Sequence, residues 1–352
     1  MTLTGADFMK LLYTLLFVSG LLSSCGEAEI DNGISPFPEG VVPIGFASSV
    51  ALPVQTRGAL TEISEMYIYA SYTGTADWKS ASHAFNYMYS QYANKPIGGT
   101  WTYSPLRYWP GNAEDKISFF AYAPVGAEDS LAVSAINATN PTFTYKVLRK
   151  ESEQLDLLVA SKLNCTNAIG KVEFSMQHAL AQVVVKVKNG DASVSGVTLS
   201  GLTLEMPCKG TLTFNDTGNT ADKVFSWSSP GETGAIVADV VLGGSSSKTL
   251  GLGTSATAAQ TAATFFVLPM AAPAISVKFR LAYKLTKDSG SNNDESQLMH
   301  VAIMPPSVPA WTAGKVFTYT ISVMDDRLEL SSVTVTDFDV NGIPAGGNVP
   351  AT

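Results

Sequence analysis

The chain has 352 residues, of which only 15% are charged, and its formal net charge is −8. Lys and Arg form no cluster in the sequence, which argues against a nucleic-acid partner. The low charge and the many β-branched and aromatic residues are typical of an extracellular all-β protein.

A targeting signal is predicted near the start of the sequence. Lys10 precedes an apolar run, residues 11–22, that has the length of a signal-peptide core and is short for a membrane span. The run ends in residues 22–25 (LSSC), which resemble the lipobox of bacterial lipoproteins. Residues 1–25 are therefore predicted to be a lipoprotein signal peptide with an acylated Cys25. An ordinary signal peptide that happens to end in a Cys is the alternative.

A first strand is predicted between residues 42 and 54. Apolar residues on one phase alternate with small residues and two prolines on the other, as in a strand with one buried face. Because proline lacks a backbone N–H, Pro43 and Pro53 place this strand at a sheet edge. The residues of the apolar face are Val42, Ile44, Phe46, Val50, Leu52 and Val54.

Arg57 follows this strand and is the only Lys or Arg between Cys25 and Lys79. A trypsin-like protease that cuts between Arg57 and Gly58 would detach the strand and open an apolar groove. Residues 26–57 are therefore predicted to be a propeptide that carries a removable first strand.

The rest of the chain is predicted to form short strands separated by Gly- and Pro-rich turns. Its apolar residues show no sustained helical period. This pattern favours β-sandwiches over parallel α/β units. The length predicts two domains, which we place at residues 58–170 and 171–352. The sequence is therefore predicted to fold as two β-sandwich domains in tandem.

A strand-like tail is predicted at residues 328–340. Its apolar phase slips twice, at residues 331–332 and 336–337, which indicates bulges or a turn. The tail has the alternation needed to replace the first strand, and it is our candidate donor strand. Its apolar residues are Leu328, Leu330, Val333, Val335, Phe338 and Val340.

Two cysteines remain besides Cys25, and two alternatives are open for them. Cys165 and Cys208 form one disulfide in an oxidising compartment, or they are two small buried hydrophobic residues.

No catalytic or metal-binding pattern is present in the sequence. The three histidines, His83, His178 and His300, lie far apart and outside any His-x-x-His frame. There is also no Gly-x-Ser-x-Gly elbow and no phosphate-binding Gly-rich loop before a helix. We predict no catalytic residue, no metal site and no cofactor, so the protein is not expected to be an enzyme. His178 is predicted to be a hydrogen-bonded core histidine.

Several phrases in this order resemble the fimbrillin family, the type V pilins of Bacteroides-type bacteria. They are the lipobox at Cys25, the strand before Arg57, and residues 107–110 (RYWP), 117–124 (ISFFAYAP), 174–180 (FSMQHAL) and 313–319 (AGKVFTY). The resemblance implies two transthyretin-like β-sandwich domains and export to the outer membrane as a lipoprotein. It also implies cleavage after Arg57 by an Arg-specific surface protease and head-to-tail polymerisation with other pilin subunits by strand exchange.

The leading hypothesis is therefore a structural pilus (fimbria) subunit that serves adhesion at the cell surface. One alternative is a monomeric surface lipoprotein that binds glycan or an adhesive ligand and keeps its first strand. Another is an anchor or tip subunit of the same pilus. The N-terminus of the mature protein separates the first two, since a start at Gly58 supports the pilin and a lipidated Cys25 supports the monomer.

Overall fold

A computed structural model describes most of the chain after residue 41. The described residues are 42–50, 63–80, 84–127, 130–135, 138, 141–215, 224–228, 236–240, 248–250, 258–270, 278–289, 292–303 and 310–337. The predicted sites at Cys25, Arg57, Gly58, Leu52, Val54, Phe338 and Val340 lie outside these residues.

The described part of the chain is built of β-strands and short 3-10 turns, and it contains no α-helix and no helix that could cross a membrane. The predicted all-β class is confirmed. The strands in chain order are β1 (Gly45–Val50), β2 (Glu65–Gly74), β3 (Met88–Asn94), β4 (Thr102–Tyr103), β5 (Lys116–Ala123), β6 (Leu131–Val133), β7 (Phe143–Lys146), β8 (Leu158–Cys165), β9 (Lys171–His178), β10 (Ala181–Asn189), β11 (Val194–Met206), β12 (Lys209–Phe214), β13 (Phe225–Ser228), β14 (Ile236–Val240), β15 (Lys248–Leu250), β16 (Gln260–Val267), β17 (Lys278–Ser289), β18 (Asn292–Ile303), β19 (Lys315–Val323) and β20 (Leu328–Asp337).

One pair of facing sheets contains the N-terminal strands. A seven-stranded sheet has the order β1-β9-β8-β5-β2-β3-β4, and a four-stranded sheet has the order β13-β12-β7-β6. Aromatic side chains join the two sheets, with 4.8 Å between the ring centroids of Phe120 and Phe214 and 5.8 Å between those of Tyr122 and Phe143. The apolar strand sequences thus form a sandwich core between two sheets.

A second pair of sheets is formed by later strands. One sheet has the order β16-β10-β19-β20, and the other has the order β14-β11-β17-β18 with β15 also paired to β11. Phe279 of β17 meets Tyr319 of β19 with 5.2 Å between ring centroids. The alternate residues Val183, Val185 and Val187 of β10 are fully buried, as the period of two predicts for a strand that faces another sheet.

The strand pairing does not follow the predicted boundary at residue 170. β9 starts at Lys171 but belongs to the N-terminal seven-stranded sheet, while β12 and β13 pair with β7. Residues Pro43–Thr352 fall in one compact unit. A period of two identifies a strand but not its partner, which is why the sequence placed the boundary before β9. The division into two domains stays a prediction.

Both faces of the seven-stranded sheet are buried at its centre, where every residue of β5 after Lys116 is buried. One face packs on the four-stranded sheet. On the other face lies a separate group of apolar residues, which we call the outer cluster. It includes Ile44, Phe46, Trp109, Ile117, Phe119, Cys165, Val172, Phe174 and Met176.

Candidate functional site: the groove of the first strand

β1 is an edge strand among the strands that the structure describes. Of these strands it pairs only with β9, in parallel, in a register that runs from Gly45 opposite Lys171 to Val50 opposite Met176. The two prolines before and after this segment predicted the edge position. Within the described part of the chain, β1 therefore has one ladder of backbone hydrogen bonds to a neighbouring strand.

Two apolar side chains insert from this segment into the outer cluster. Ile44 is 1% exposed and Phe46 is 5% exposed. The Phe46 ring stacks on Phe174, with 5.9 Å between centroids and an interplanar angle of 8°. Phe119 and Tyr103 meet the same ring edge-on, at 5.9 Å and 5.2 Å. We call the space between these three rings the aromatic slot.

The start of the first strand is held by backbone groups of the RYWP segment. The Ile44 N–H donates to the carbonyl of Arg107 at 2.9 Å, and the Tyr103 hydroxyl donates to the carbonyl of Ile44 at 2.8 Å. Pro43 forms an isolated antiparallel bridge with Tyr108. This segment thus closes over Ile44 from the side opposite β9.

Trp109 fixes that segment to the sheet. Its indole N–H donates to the carbonyl of Gly170 at 3.3 Å, and its ring meets Phe119 edge-on at 5.8 Å. The sequence identified residues 107–110 only as a family phrase and missed this role. Residues 107–110 contain Tyr and Trp and end in proline. This composition favours a segment that packs over the core rather than a central strand of a sheet.

Fewer residues of the first strand are buried than the sequence predicted. Val42 is 51% exposed, so its predicted place on the buried face is wrong. The ladder with β9 begins only at Gly45, and the bridge from Pro43 to Tyr108 leaves Val42 outside the outer cluster. Val50 is half-buried and packs against the cluster. Ile44 and Phe46 therefore carry most of the apolar contact that the described residues provide.

Beyond Phe46 the groove becomes polar. A cavity of about 460 Å³ lies beside β1. It is lined by Ala47, Ser48, Ser49, Ser161, Lys162, Glu173, Phe174, Ser175, Gln177 and Val224. The groove thus has an apolar half around Ile44 and Phe46 and a polar half around Ser48.

The described part of the candidate donor strand lies in its own sheet. β20 pairs antiparallel with β19, from Lys315 opposite Asp337 to Val323 opposite Leu328, and the pairing shifts near Ser331 and Ser332, where the sequence predicted a slip. Val333 is 3% exposed. Leu328, Leu330 and Val335 are partly buried against the same core.

Both described cysteines are free and buried. Cys165 lies in the outer cluster and Cys208 in the larger core between the sheets. Burial raises the pKa of the Cys165 thiol to about 12, which keeps it protonated and unreactive at neutral pH. Of the two alternatives for this pair, the structure has two small buried residues.

His178 was the histidine for which the sequence predicted a structural role. His178 is buried, and its Nδ1 lies 2.8 Å from Oδ2 of the buried Asp156, so it is a hydrogen-bonded core histidine as predicted. No group of three His, Cys, Asp or Glu side chains in the described ranges could hold a metal ion.

Comparison with solved structures found chains of similar fold. A fimbrial protein from Bacteroides vulgatus ATCC 8482 superposes with a TM-score of 0.62 at 20% identity, covering 84% of this chain and 99% of that chain. A protein from Bacteroides uniformis ATCC 8492 gives a TM-score of 0.48 at 19% identity, with coverages of 85% and 100%. The tip fimbrial protein Mfa3 from Porphyromonas gingivalis, with a C-terminal truncation, gives 0.35 at 11% identity, with coverages of 84% and 98%.

The sequence itself was compared with family models and with curated proteins. No curated protein matches it. A family model described as fimbrillin-like matches residues 55–337, which is the larger part of the chain. The resemblance inferred from the residues is confirmed, and the chain belongs to the fimbrillin-like family.

Proposed function

We propose that the protein is a structural subunit of a cell-surface fimbria that polymerises by exchange of its first strand and serves adhesion. Membership of the fimbrillin-like family supports this proposal. The observation that carries it is the position of β1, which has one neighbour among the described strands and is followed in sequence by the lone Arg57.

The proposed path begins with export as a lipoprotein held in the outer membrane by Cys25. A single acyl chain binds membranes only marginally, so the several chains of a bacterial lipoprotein are needed to hold the precursor. An Arg-specific surface protease then cuts between Arg57 and Gly58. This cut separates the subunit from its lipid and frees the first strand in the same step.

The cleaved subunit has a strong thermodynamic reason to accept another strand. Burial of Ile44 and Phe46 contributes roughly 1.5–3 kcal/mol for each side chain, so losing both costs about 3–6 kcal/mol. That is a large share of the roughly 5–15 kcal/mol by which a domain is stable. A replacement strand recovers the loss.

The replacement is proposed to come from residues 328–340 of a neighbouring subunit. Donor and acceptor sites then lie on different parts of each subunit, so the contact is head-to-tail and does not close on itself. Backbone hydrogen bonds to β9 supply affinity, and alternate side chains in the apolar half of the groove supply specificity. Such a contact extends into a filament.

Replacing the cleavage residue tests this path. Arg57→Ala should accumulate as a lipidated, unpolymerised precursor at the membrane, because its first strand stays attached. Arg149→Ala, at an exposed Arg far from the groove in sequence, is the matched control and should build normal filaments. Filaments with a normal N-terminus from Arg57→Ala would show that processing occurs elsewhere.

A further inference from the structure

We propose that the outer edge of β16 is a second strand-binding edge of the subunit, and that Glu151 and Gln154 keep it closed against a second copy of this chain. Among the described strands β16 pairs with β10 alone, so it ends its sheet. This edge belongs to a different sheet from the groove of β1. The inference therefore holds whether or not the first strand is exchanged.

Two backbone N–H groups of β16 are bound by side chains of a distant segment instead of by a strand. The Thr264 N–H donates to Oε1 of Glu151 at 2.7 Å, and the Phe266 N–H donates to Oε1 of Gln154 at 2.8 Å. In a wider sheet, alternate N–H groups of this kind would donate to the carbonyls of a neighbouring strand. The two side-chain oxygens therefore take the place of the acceptors of a strand.

A short turn presents the two acceptors at the spacing of a strand. Glu151 begins the 3-10 turn Glu151–Glu153 between β7 and β8, and Gln154 follows it. Side chains three residues apart in such a turn lie on one side, separated by about 6 Å at a rise of ~2.0 Å per residue. Alternate N–H groups of a strand are about 6.8 Å apart. The turn therefore matches two successive N–H groups of the β16 edge.

Contacts within the turn hold both acceptors in place. Nε2 of Gln154 donates to the Leu148 carbonyl at 2.9 Å, which leaves Oε1 as the acceptor that meets β16. Nζ of Lys150 lies 2.8 Å from Oε1 of Glu153, and the Glu153 N–H donates to the Lys150 carbonyl at 3.0 Å. The loop before β8 thus brings a fixed pair of acceptors to β16.

The sequence of β16 suits pairing with another copy of itself. Its residues, QTAATFFV, include no charge and no proline, and five of them are β-branched or aromatic. An uncharged strand has no like charges to repel an identical neighbour. Sheet edges are commonly protected by charged residues or prolines, and an edge without them is prone to pair with other chains. At β16 the turn supplies that protection.

Pairing through this edge would give a different product from a filament. Two copies of one edge that pair antiparallel are related by a two-fold axis, so their contact closes and stops at a dimer. Strand exchange instead joins different parts of two subunits and continues along the chain of subunits. A closed β16 edge therefore keeps subunits available for head-to-tail assembly.

Removing both acceptors from the uncleaved, non-lipidated chain tests the closure. Glu151→Ala combined with Gln154→Ala should form dimers at concentrations at which the wild type sediments as a monomer. At high dilution, where the dimers dissociate, the Thr264 and Phe266 amides should exchange their hydrogens roughly tenfold faster than in the wild type. Glu153→Ala, in the same turn, is the matched control and should stay monomeric with unchanged exchange at both amides.

Two further variants show where the association occurs. Glu151→Ala alone keeps Gln154 in place and should dimerise more weakly, which tests the closure with a single change if the double variant does not fold. Thr264→Lys, added to either variant, places a charge near the middle of β16. It should restore the monomer, because like charges meet across a self-paired edge.

Two results would overturn the proposal. One is a folded variant without these acceptors that stays monomeric at every concentration at which the wild type is soluble. The other is association that persists after Thr264→Lys, because the contact would then lie elsewhere on the subunit. Dimers that form without the acceptors and dissociate with the added lysine are the expected result.

Discussion

In the described part of the chain β1 and β20 are both edge strands with one neighbouring strand, but they are held in different ways. β20 has nine residue pairs with β19, and an ion pair links Lys315 of β19 with Asp337 of β20. β1 has six pairs with β9 and depends on Phe46, together with Ile44 just before it. The difference teaches that β20 is held mainly by backbone pairing, whereas the apolar contact of the first strand is concentrated in two side chains.

Removing the ring that anchors the first strand should have the largest effect. Phe46→Ala in the uncleaved precursor is expected to lower the free energy of unfolding by about 3–5 kcal/mol, because it empties a slot between three rings. Urea denaturation of the non-lipidated precursor measures the change. Ser49→Ala, at an exposed position of the same strand, should change stability little. Equal stability of the two variants would mean that the slot does not hold the strand.

Two C-terminal truncations test how β20 differs from β1. A chain that ends at Asp337 keeps β20 and should keep the stability of the full precursor, but it should not extend polymers. A chain that ends at Ser332 also loses Val333, which is 3% exposed, and should lose roughly 1.5–3 kcal/mol for that side chain. Urea denaturation and sedimentation measure the two properties. Normal polymerisation by the chain that ends at Asp337 would contradict a donor strand that needs Phe338 and Val340.

The smallest effect is expected at the hydroxyl that holds the strand start. Tyr103→Phe removes the hydrogen bond to the Ile44 carbonyl and should cost about 0.5–1.5 kcal/mol of precursor stability. Tyr72→Phe removes a hydroxyl that donates to Asp115 at the exposed surface and is the control. A larger loss of stability in Tyr72→Phe than in Tyr103→Phe would show that the hydrogen bond to the Ile44 carbonyl does not hold the start of the strand.

Much of this site was predictable from the local sequence. The alternation of apolar and small residues, and the positions of the prolines, depend only on the strand in which they occur. The edge position of β1 followed from Pro43 and Pro53, and the burial of Ile44 and Phe46 followed from the period of two. The slip near Ser331 was also predicted, and the structure has a register shift there.

Partners distant in sequence were not predictable in this way. Nothing near Gly45 identifies Lys171 as its neighbour, and the phrase around Trp109 gives no sign that Arg107 accepts a hydrogen bond from Ile44. The exposure of Val42 depends on that same distant contact. Alternation specifies which face of a strand is buried, while tertiary packing decides how far the burial extends.

The most direct test of the account is the N-terminal residue of the subunit in filaments sheared from the cell surface. Strand exchange after cleavage predicts that the subunit begins at Gly58 and carries no lipid. A subunit that begins at lipidated Cys25 would contradict the account, because its first strand would still be attached and the groove would still be filled.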